Sequence, residues 1–384
     1  MEAYFDNSAT TRCGEGAKDM MVRALVEDYG NPSSLHGKGM EGEQFLREAG
    51  AKISRTLKVK ESELIFTSGG TESNNLAIIG GAMANRRSGM HLITTKIEHP
   101  AVLAPMKYLE EQGFFVTYLD VDKNGIISLE ELEKAVTDET ILVSIMFVNN
   151  EIGAVEPIAE AAEIIKRKNP KTLFHVDAIQ AYGKYIIRPG KLGIDLMSVS
   201  GHKIHGPKGS GFLYVKEKTK LKPVIYGGGQ QKNLRSGTEN VPGIAGLGQA
   251  AQDVYESFED KQAHLYALKE AFVGGLAEQE WAHINGRTGK DSAPHIVSLS
   301  VDGVRSEVLL HALEERQIYV SAGSACSSNK PAPSVTLQAI GIGREYLDST
   351  VRISFSPDNT FEEVEYCLEN LKELVPMLQR YTRH

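Results

Sequence analysis

From Glu63 to about Val215 the chain alternates short β-rich runs with helical patterns, and this alternation restricts the fold more than any other feature of the 384 residues. The runs are "ELIFT", "HLITT", "FFVTYL", "ILVSIMFV", "TLFHV", "DLMSVS" and "GFLYV", with helical patterns starting at Thr71, Pro100, Ser128 and near Pro157. Several runs are apolar throughout, without polar alternation, as in strands buried on both faces. Strands that alternate with helices imply crossover connections, so the prediction is an α/β large domain around a mainly parallel sheet. After Pro242 a long helical stretch, "GIAGLGQAAQDVYESFEDKQAHLYALKEAFVGGLAEQE", leads into "HIVSLSV", "EVLLHALEERQ", "IYVSAGSA", "VRISFS" and a terminal helix. That tail predicts a smaller α+β domain. The expected division is a large domain over 15–257 and a small one built from 1–14 and 258–384, as the length itself suggests.

In an open α/β sheet, ligands sit outside the carboxyl ends of the strands, where helix N-termini point into the crevice. Five of these ends read "SGGTESNN", "KIEHP", "NNEIG", "DAIQ" and "GHKIHGPKG". "SGGTESNN" opens a helix with small residues, so its free N–H groups and positive dipole end suit a phosphate at Gly70 and Thr71. Alone it reads equally well as a plain capped helix, and Lys203 alone as a surface lysine. Together with the carboxylate of Asp177, however, an amine and a phosphate cradle at neighbouring strand ends meet the needs of pyridoxal 5′-phosphate: an aldehyde partner, a pyridinium partner and an anion site.

Other functions are excluded by composition or context. A net charge of −8 with both signs interspersed leaves no basic stripe for nucleic acid. No run approaches the roughly 20 apolar residues of a membrane span, and "MEAYFDNSATT" has no signal-peptide pattern, so a cytoplasmic protein is expected. "DVDKNGIISLEE" fits the calcium-loop pattern from Asp120 to Glu131, yet a β-rich run precedes it where that motif requires a helix. It reads as a strand, an Asn-Gly turn and a helix capped by Ser128, with Glu131 at the capping-box position. "GLGQAA" from Gly246 follows no strand and reads as close helix packing, and "GRTGKDS" lacks the spacing of a nucleotide loop. The three cysteines, Cys13, Cys326 and Cys367, are too scattered for a disulfide framework or a zinc site. Cys367 falls on the apolar face of the terminal helix and reads as core.

The motifs "YFDNSATT", "YGNPSSLHGKG", "FTSGGTESNN", "EHPAV", "VNNEIGAVEPI", "HVDAIQAYGK", "SVSGHKIHGPKG", "GGGQQKNLRSGTENVPG", "SAGSACSSN" and "VRISFS" occur in that order over nearly the whole chain. In them the sequence resembles the cysteine desulfurases of the NifS/IscS type, which are pyridoxal phosphate enzymes of fold type I related to class V aminotransferases. The resemblance implies a seven-stranded, mainly parallel sheet and a reaction converting L-cysteine to L-alanine. It implies that Lys203 bonds the cofactor aldehyde and moves the Cα proton. Asp177 would hold the pyridine nitrogen protonated, Gln180 would bond the ring hydroxyl, and His99 would stack on the ring and assist proton transfer. Gly70, Thr71, Ser200 and His202 would bind the phosphate, with Thr238 reaching it from the partner subunit of a homodimer. Asn150 and Arg352 match the pair that clamps the substrate carboxylate.

Cys326, as thiolate, would take the substrate sulfur as a persulfide, and the long polar continuation of "GSAC" resembles the group whose cysteine loop is mobile. The chain stops at "LQRYTRH", without the longer tail that housekeeping members use to dock a scaffold, so the acceptor expected is an iron–sulfur scaffold or another protein. A selenocysteine lyase or an aminotransferase of the same fold is the alternative. A non-enzymatic metal carrier would need partner cysteines or histidines near Cys326, and "SAGSACSSNKPAPS" offers none.

Overall fold

The structure, a computed structural model, describes residues 1–322 and 334–382. Cys326 therefore lies outside the described residues. The chain begins with β1 (Ala3–Tyr4), α1 (Glu15–Val26) and α2 (Gly37–Leu57). It then alternates β2 (Leu64–Thr67), α3 (Gly70–Asn85), β3 (His91–Thr95), α4 (Pro100–Glu111), β4 (Phe115–Leu119), α5 (Leu129–Ala135), β5 (Thr140–Ser144), α6 (Ile158–Lys168), β6 (Leu173–Asp177), β7 (Leu196–Ser200) and β8 (Gly211–Val215). Strands β2 to β8 form a seven-stranded sheet in the order β2-β8-β7-β6-β5-β3-β4. Neighbours from β7 to β4 run parallel, whereas β8 is antiparallel to both β2 and β7. The link 201–210 is too short to hold a crossover helix, so the chain must turn back after β7. With β8 alone reversed, the carboxyl ends of β2, β3, β5, β6 and β7 share one rim. Fully buried His175 ties three strands together beneath it, pairing with Ser144 Oγ at 2.8 Å and Ser198 Oγ at 2.9 Å. Burial pushes this imidazole down to about 3, so it stays neutral.

The apolar run "ILVSIMFV" is only partly a strand. Beyond Ser144 the ladder continues as single bonds, Ile145 N–H to His175 C=O at 3.1 Å and Phe147 N–H to Asp177 C=O at 2.9 Å. The calcium-like segment is a strand end, a turn and a capped helix: Val121 bridges Ile127, Gly125 has φ 80°, and Asp122 Oδ1 accepts from the N–H groups of Asn124 and Ile126. Ser128 Oγ accepts from Glu131 N–H at 3.2 Å, one half of the predicted capping box.

The predicted long helical stretch is two helices, α7 (Val241–Tyr255) and α8 (Phe258–Gly275), separated at Ser257, whose φ of 50° is left-handed. A helix cannot pass through that conformation. The break lets α7 pack on α1 and α2 while α8 packs elsewhere. A Cβ on Gly248 would come 2.5 Å from Ala49 Cα, which is the close packing that "GLGQAA" suggested. The remainder comprises β9 (Ala282–Asn285), β10 (Ile296–Val301), α9 (Ser306–Glu314), β11 (Ile318–Tyr319), β12 (Ser321–Ala322), α10 (Val335–Ala339), β13 (Thr350–Ser354) and α11 (Phe361–Thr382). A four-stranded antiparallel sheet has the order β12-β13-β10-β9, while β11 pairs in parallel with β1. The run "IYVSAGSA" thus divides at Val320 between two sheets.

Two large apolar clusters result. One joins the seven-stranded sheet to its helices through Ile93, Val143, Phe174, Phe212 and Leu247. The other joins Phe272, Leu299, Phe355 and Leu371 with Ala3 and Phe5 from the first residues of the chain. Cys367 is fully buried in the second cluster.

Candidate active site

Ten residues singled out from the sequence, Gly70, Thr71, His99, Asn150, Asp177, Gln180, Ser200, His202, Lys203 and Arg352, line one cavity of about 190 Å³ on the rim. Asp177, the last residue of β6, is 4% exposed and forms part of the cavity wall. Its Oδ2 accepts from Asn74 Nδ2 at 2.8 Å and its Oδ1 from Ile179 N–H at 3.0 Å. Burial raises this carboxyl above the ordinary range, and the Ile179 bond, His99, Asn74 and Lys203 oppose the rise. A cation placed against it would stabilise the charged form. Lys203 ends a short 3-10 turn after β7, and its Nζ donates to the carbonyls of Ser8 at 2.5 Å and Ala9 at 2.7 Å.

His99 is the N-cap of α4. Its Nδ1 accepts from Ala101 N–H at 3.0 Å, so a neutral ring carries its proton on Nε2. Burial lowers its pKa, Lys203 adding to the fall and Asp177 opposing it. Beside the cavity a second hollow of about 400 Å³ shares Gly70, Thr71, Ser200 and His202 with it and sits at the N-terminus of the 16-residue α3. Free N–H groups and the helix dipole suit a phosphate there. His202 pairs through Nδ1 with Thr10 Oγ1 at 3.2 Å and is pushed down to about 4 by burial, then by Lys203 and Lys208. These groups fit pyridoxal phosphate: an amine, a buried carboxylate in want of a cation, and a neutral anion cradle.

Arg352, on β13, is 4% exposed; its Nη1 donates to the Asn150 carbonyl at 2.8 Å and its Nη2 to Asp6 Oδ1 at 2.9 Å. The contact with Asn150 is thus to its main chain. Thr238 is exposed and lines neither hollow of its own chain.

Several residues of the site carried no recognisable signal. Asp6 and Asn74 sit inside quoted motifs but become partners of Arg352 and Asp177 only in three dimensions. Glu98 is buried, with Oε1 accepting from Thr95 Oγ1 at 3.0 Å and Met146 N–H at 2.8 Å, so it ties the end of β3 to the segment after β5 and fixes the approach of His99. Burial pushes its carboxyl well above the usual range.

His295 looked like the start of a strand. It is buried, held neutral by that burial, and donates through Nε2 to Gln180 Oε1 at 3.2 Å, while Gln180 Nε2 donates to the Ser8 carbonyl at 3.0 Å. The histidine therefore decides which way the Gln180 amide points. Replacing His295 by leucine strands Gln180 Oε1, and a loss of about 1–3 kcal/mol is expected in denaturant unfolding; unchanged stability would show that Gln180 is held by other means.

The aminotransferase class-V family model matches residues 3–367. The cysteine desulfurase IscS of Methanosarcina thermophila is 43% identical over 98% of this chain and 92% of its own. The putative cysteine desulfurase IscS 1 of Bacillus subtilis is 43% identical over 98% of this chain and 99% of its own. Among solved structures, a NifS-like protein superposes with a TM-score of 0.93 at 40% identity, covering 98% of this chain and all of the other.

Proposed function

The chain belongs to the aminotransferase class-V family and is a pyridoxal phosphate-dependent cysteine desulfurase; from that premise we propose that Cys326 receives the sulfur of L-cysteine as a persulfide and hands it to an acceptor protein. In this reading Lys203 would bond the cofactor aldehyde, Asp177 would pair with the ring nitrogen and Gln180 with the ring hydroxyl. Gly70, Thr71, Ser200 and His202 hold the phosphate, and Thr238 reaches it from a second copy in a homodimer. The bound cofactor supplies an electron sink that weakens the Cβ–S bond of the substrate.

Arg352 takes the substrate carboxylate with Asn150 beside it, a planar fork already fixed at its other edge by Asp6. Lys203 moves the Cα proton, with the Nε2–H of His99 within the same cavity. The Cys326 thiolate attacks the substrate sulfur and the Cβ–S bond breaks, its electron pair ending in a new C–H bond. Cys326 thiol and L-cysteine thus become Cys326 persulfide and L-alanine, with no outside oxidant or reductant. The persulfide passes to an iron–sulfur scaffold or another sulfur-accepting protein in the cytoplasm. The same reading divides the chain into a cofactor-binding domain over 15–257 and a second domain from 1–14 and 258–384, supported by Ala3 and Phe5 lying in the second apolar cluster.

The observation that carries the assignment of the sulfur to Cys326 is the state of the other two thiols. Burial pushes Cys367 up to about 12 and raises Cys13 as well, so neither is readily a thiolate near neutral pH. After a single turnover with L-cysteine, peptide mass analysis is expected to find one added sulfur atom on the Cys326 peptide. Sulfur on Cys13, with Cys326 unmodified, would overturn the assignment.

A further inference from the structure

Lys184 lies in the turn after β6, in none of the roles above. It is 7% exposed, and its Nζ donates to the main-chain carbonyl of Lys203 at 2.8 Å. The other carbonyls around that turn are satisfied by backbone or by Thr11: Gly201 C=O by the N–H groups of Ile204 and Gly206, His202 C=O by the N–H and hydroxyl of Thr11, and His205 C=O by Gly14 N–H. The Lys203 carbonyl instead takes an ammonium. Among the described residues no carboxylate forms an ion pair with that ammonium. Asp253 and Asp358 line the same adjoining cavity of about 180 Å³ with His205 and Lys261, yet neither pairs with Lys184. A buried cation without a counter-ion is unfavourable, so its retention calls for a use.

We propose that Lys184 is a positioning residue for Lys203, fixing the peptide behind the reactive amine and, through its charge, making that amine a weaker base. The inference rests on Lys203 being the cofactor lysine. Burial and then the charge of Lys203 bring Lys184 itself down to about 8. Repulsion between two cations is mutual, so charged Lys184 equally favours loss of the Lys203 proton. Around Lys184, burial keeps His295 neutral and shifts His205 toward the neutral form, with Asp358 opposing the shift, whereas Lys261 faces the shared cavity. Around Lys203, Asp177 opposes the effect, and His99 and His202 are shifted toward neutrality. The influence of Lys184 is full below its own pKa and fades as pH rises through it.

The test mixes cofactor-stripped protein with pyridoxal phosphate and follows formation of the yellow band against pH, which reads the free amine at Lys203. In Lys184→Gln the midpoint is expected to move up by about half a pH unit or more. Lys184→Arg, which keeps charge and donors, should stay with the wild type. A purely structural role would lower the melting temperature without moving the midpoint. Lys184→Gln at the wild-type midpoint, or Lys184→Arg shifted as far as Lys184→Gln, overturns the proposal. Lys184→Met gives the same reading if the glutamine variant does not fold. A wild type that never colours would strike the cofactor reading itself, so the two failures are distinguishable.

Discussion

Lys203→Ala is expected to abolish the yellow colour of the cofactor-loaded protein and to lower release of alanine from L-cysteine by about 10⁴-fold or more, because on the proposed reading one amine both bonds the cofactor and moves the proton. Among the described residues, Lys203 is the one lysine that lines the cavity. Lys184 donates instead to the Lys203 carbonyl. Alanine also leaves the carbonyls of Ser8 and Ala9 without their shared donor. Stability therefore has to be followed alongside turnover. A variant that stays folded, binds the phosphate and retains colour would place the reactive amine elsewhere.

Asp177→Asn is expected to be the next most damaging change. On the proposed reading the buried carboxylate would meet the ring nitrogen through a charge-assisted bond worth about 2–3 kcal/mol, which corresponds to about 10²-fold in turnover. The amide cannot take over the carboxylate's place. Both Asp177 oxygens already accept, one from Asn74 and one from Ile179, so an amide NH₂ must face one of these donors. Turnover and cofactor retention on dialysis should fall together. Full activity in a folded Asp177→Asn would mean that the ring nitrogen needs no anion.

Much of this was legible in local patterns. The β-branched runs marked the strands, and the short polar sequences after them fell on one rim because parallel strands finish at the same edge. What escaped reading depends on partners far apart in the chain. That β8 reverses follows from a short connection, which fixes direction only when its two flanking strands are adjacent. The split of "IYVSAGSA" between two sheets depends on β1, more than 300 residues earlier. Asp6 against Arg352, His295 against Gln180 and Lys184 against the Lys203 carbonyl are likewise long-range pairs. Each residue type is ordinary where it stands, and only burial gives it a task.

The first eleven residues have a consequence for biosynthesis. Ala3 pairs with Ile318, Asp6 with Arg352, the Ser8 and Ala9 carbonyls with Lys203, and Thr11 with the His202 carbonyl. A ribosome makes the N-terminus first and β13 almost last, so the earliest residues must wait for the latest before they can dock. A nascent chain that has already made Lys203 still lacks Arg352, the partner of Asp6, and the strand that anchors its own beginning. The surroundings of Lys203 and Arg352 are therefore completed only once β13 has been made.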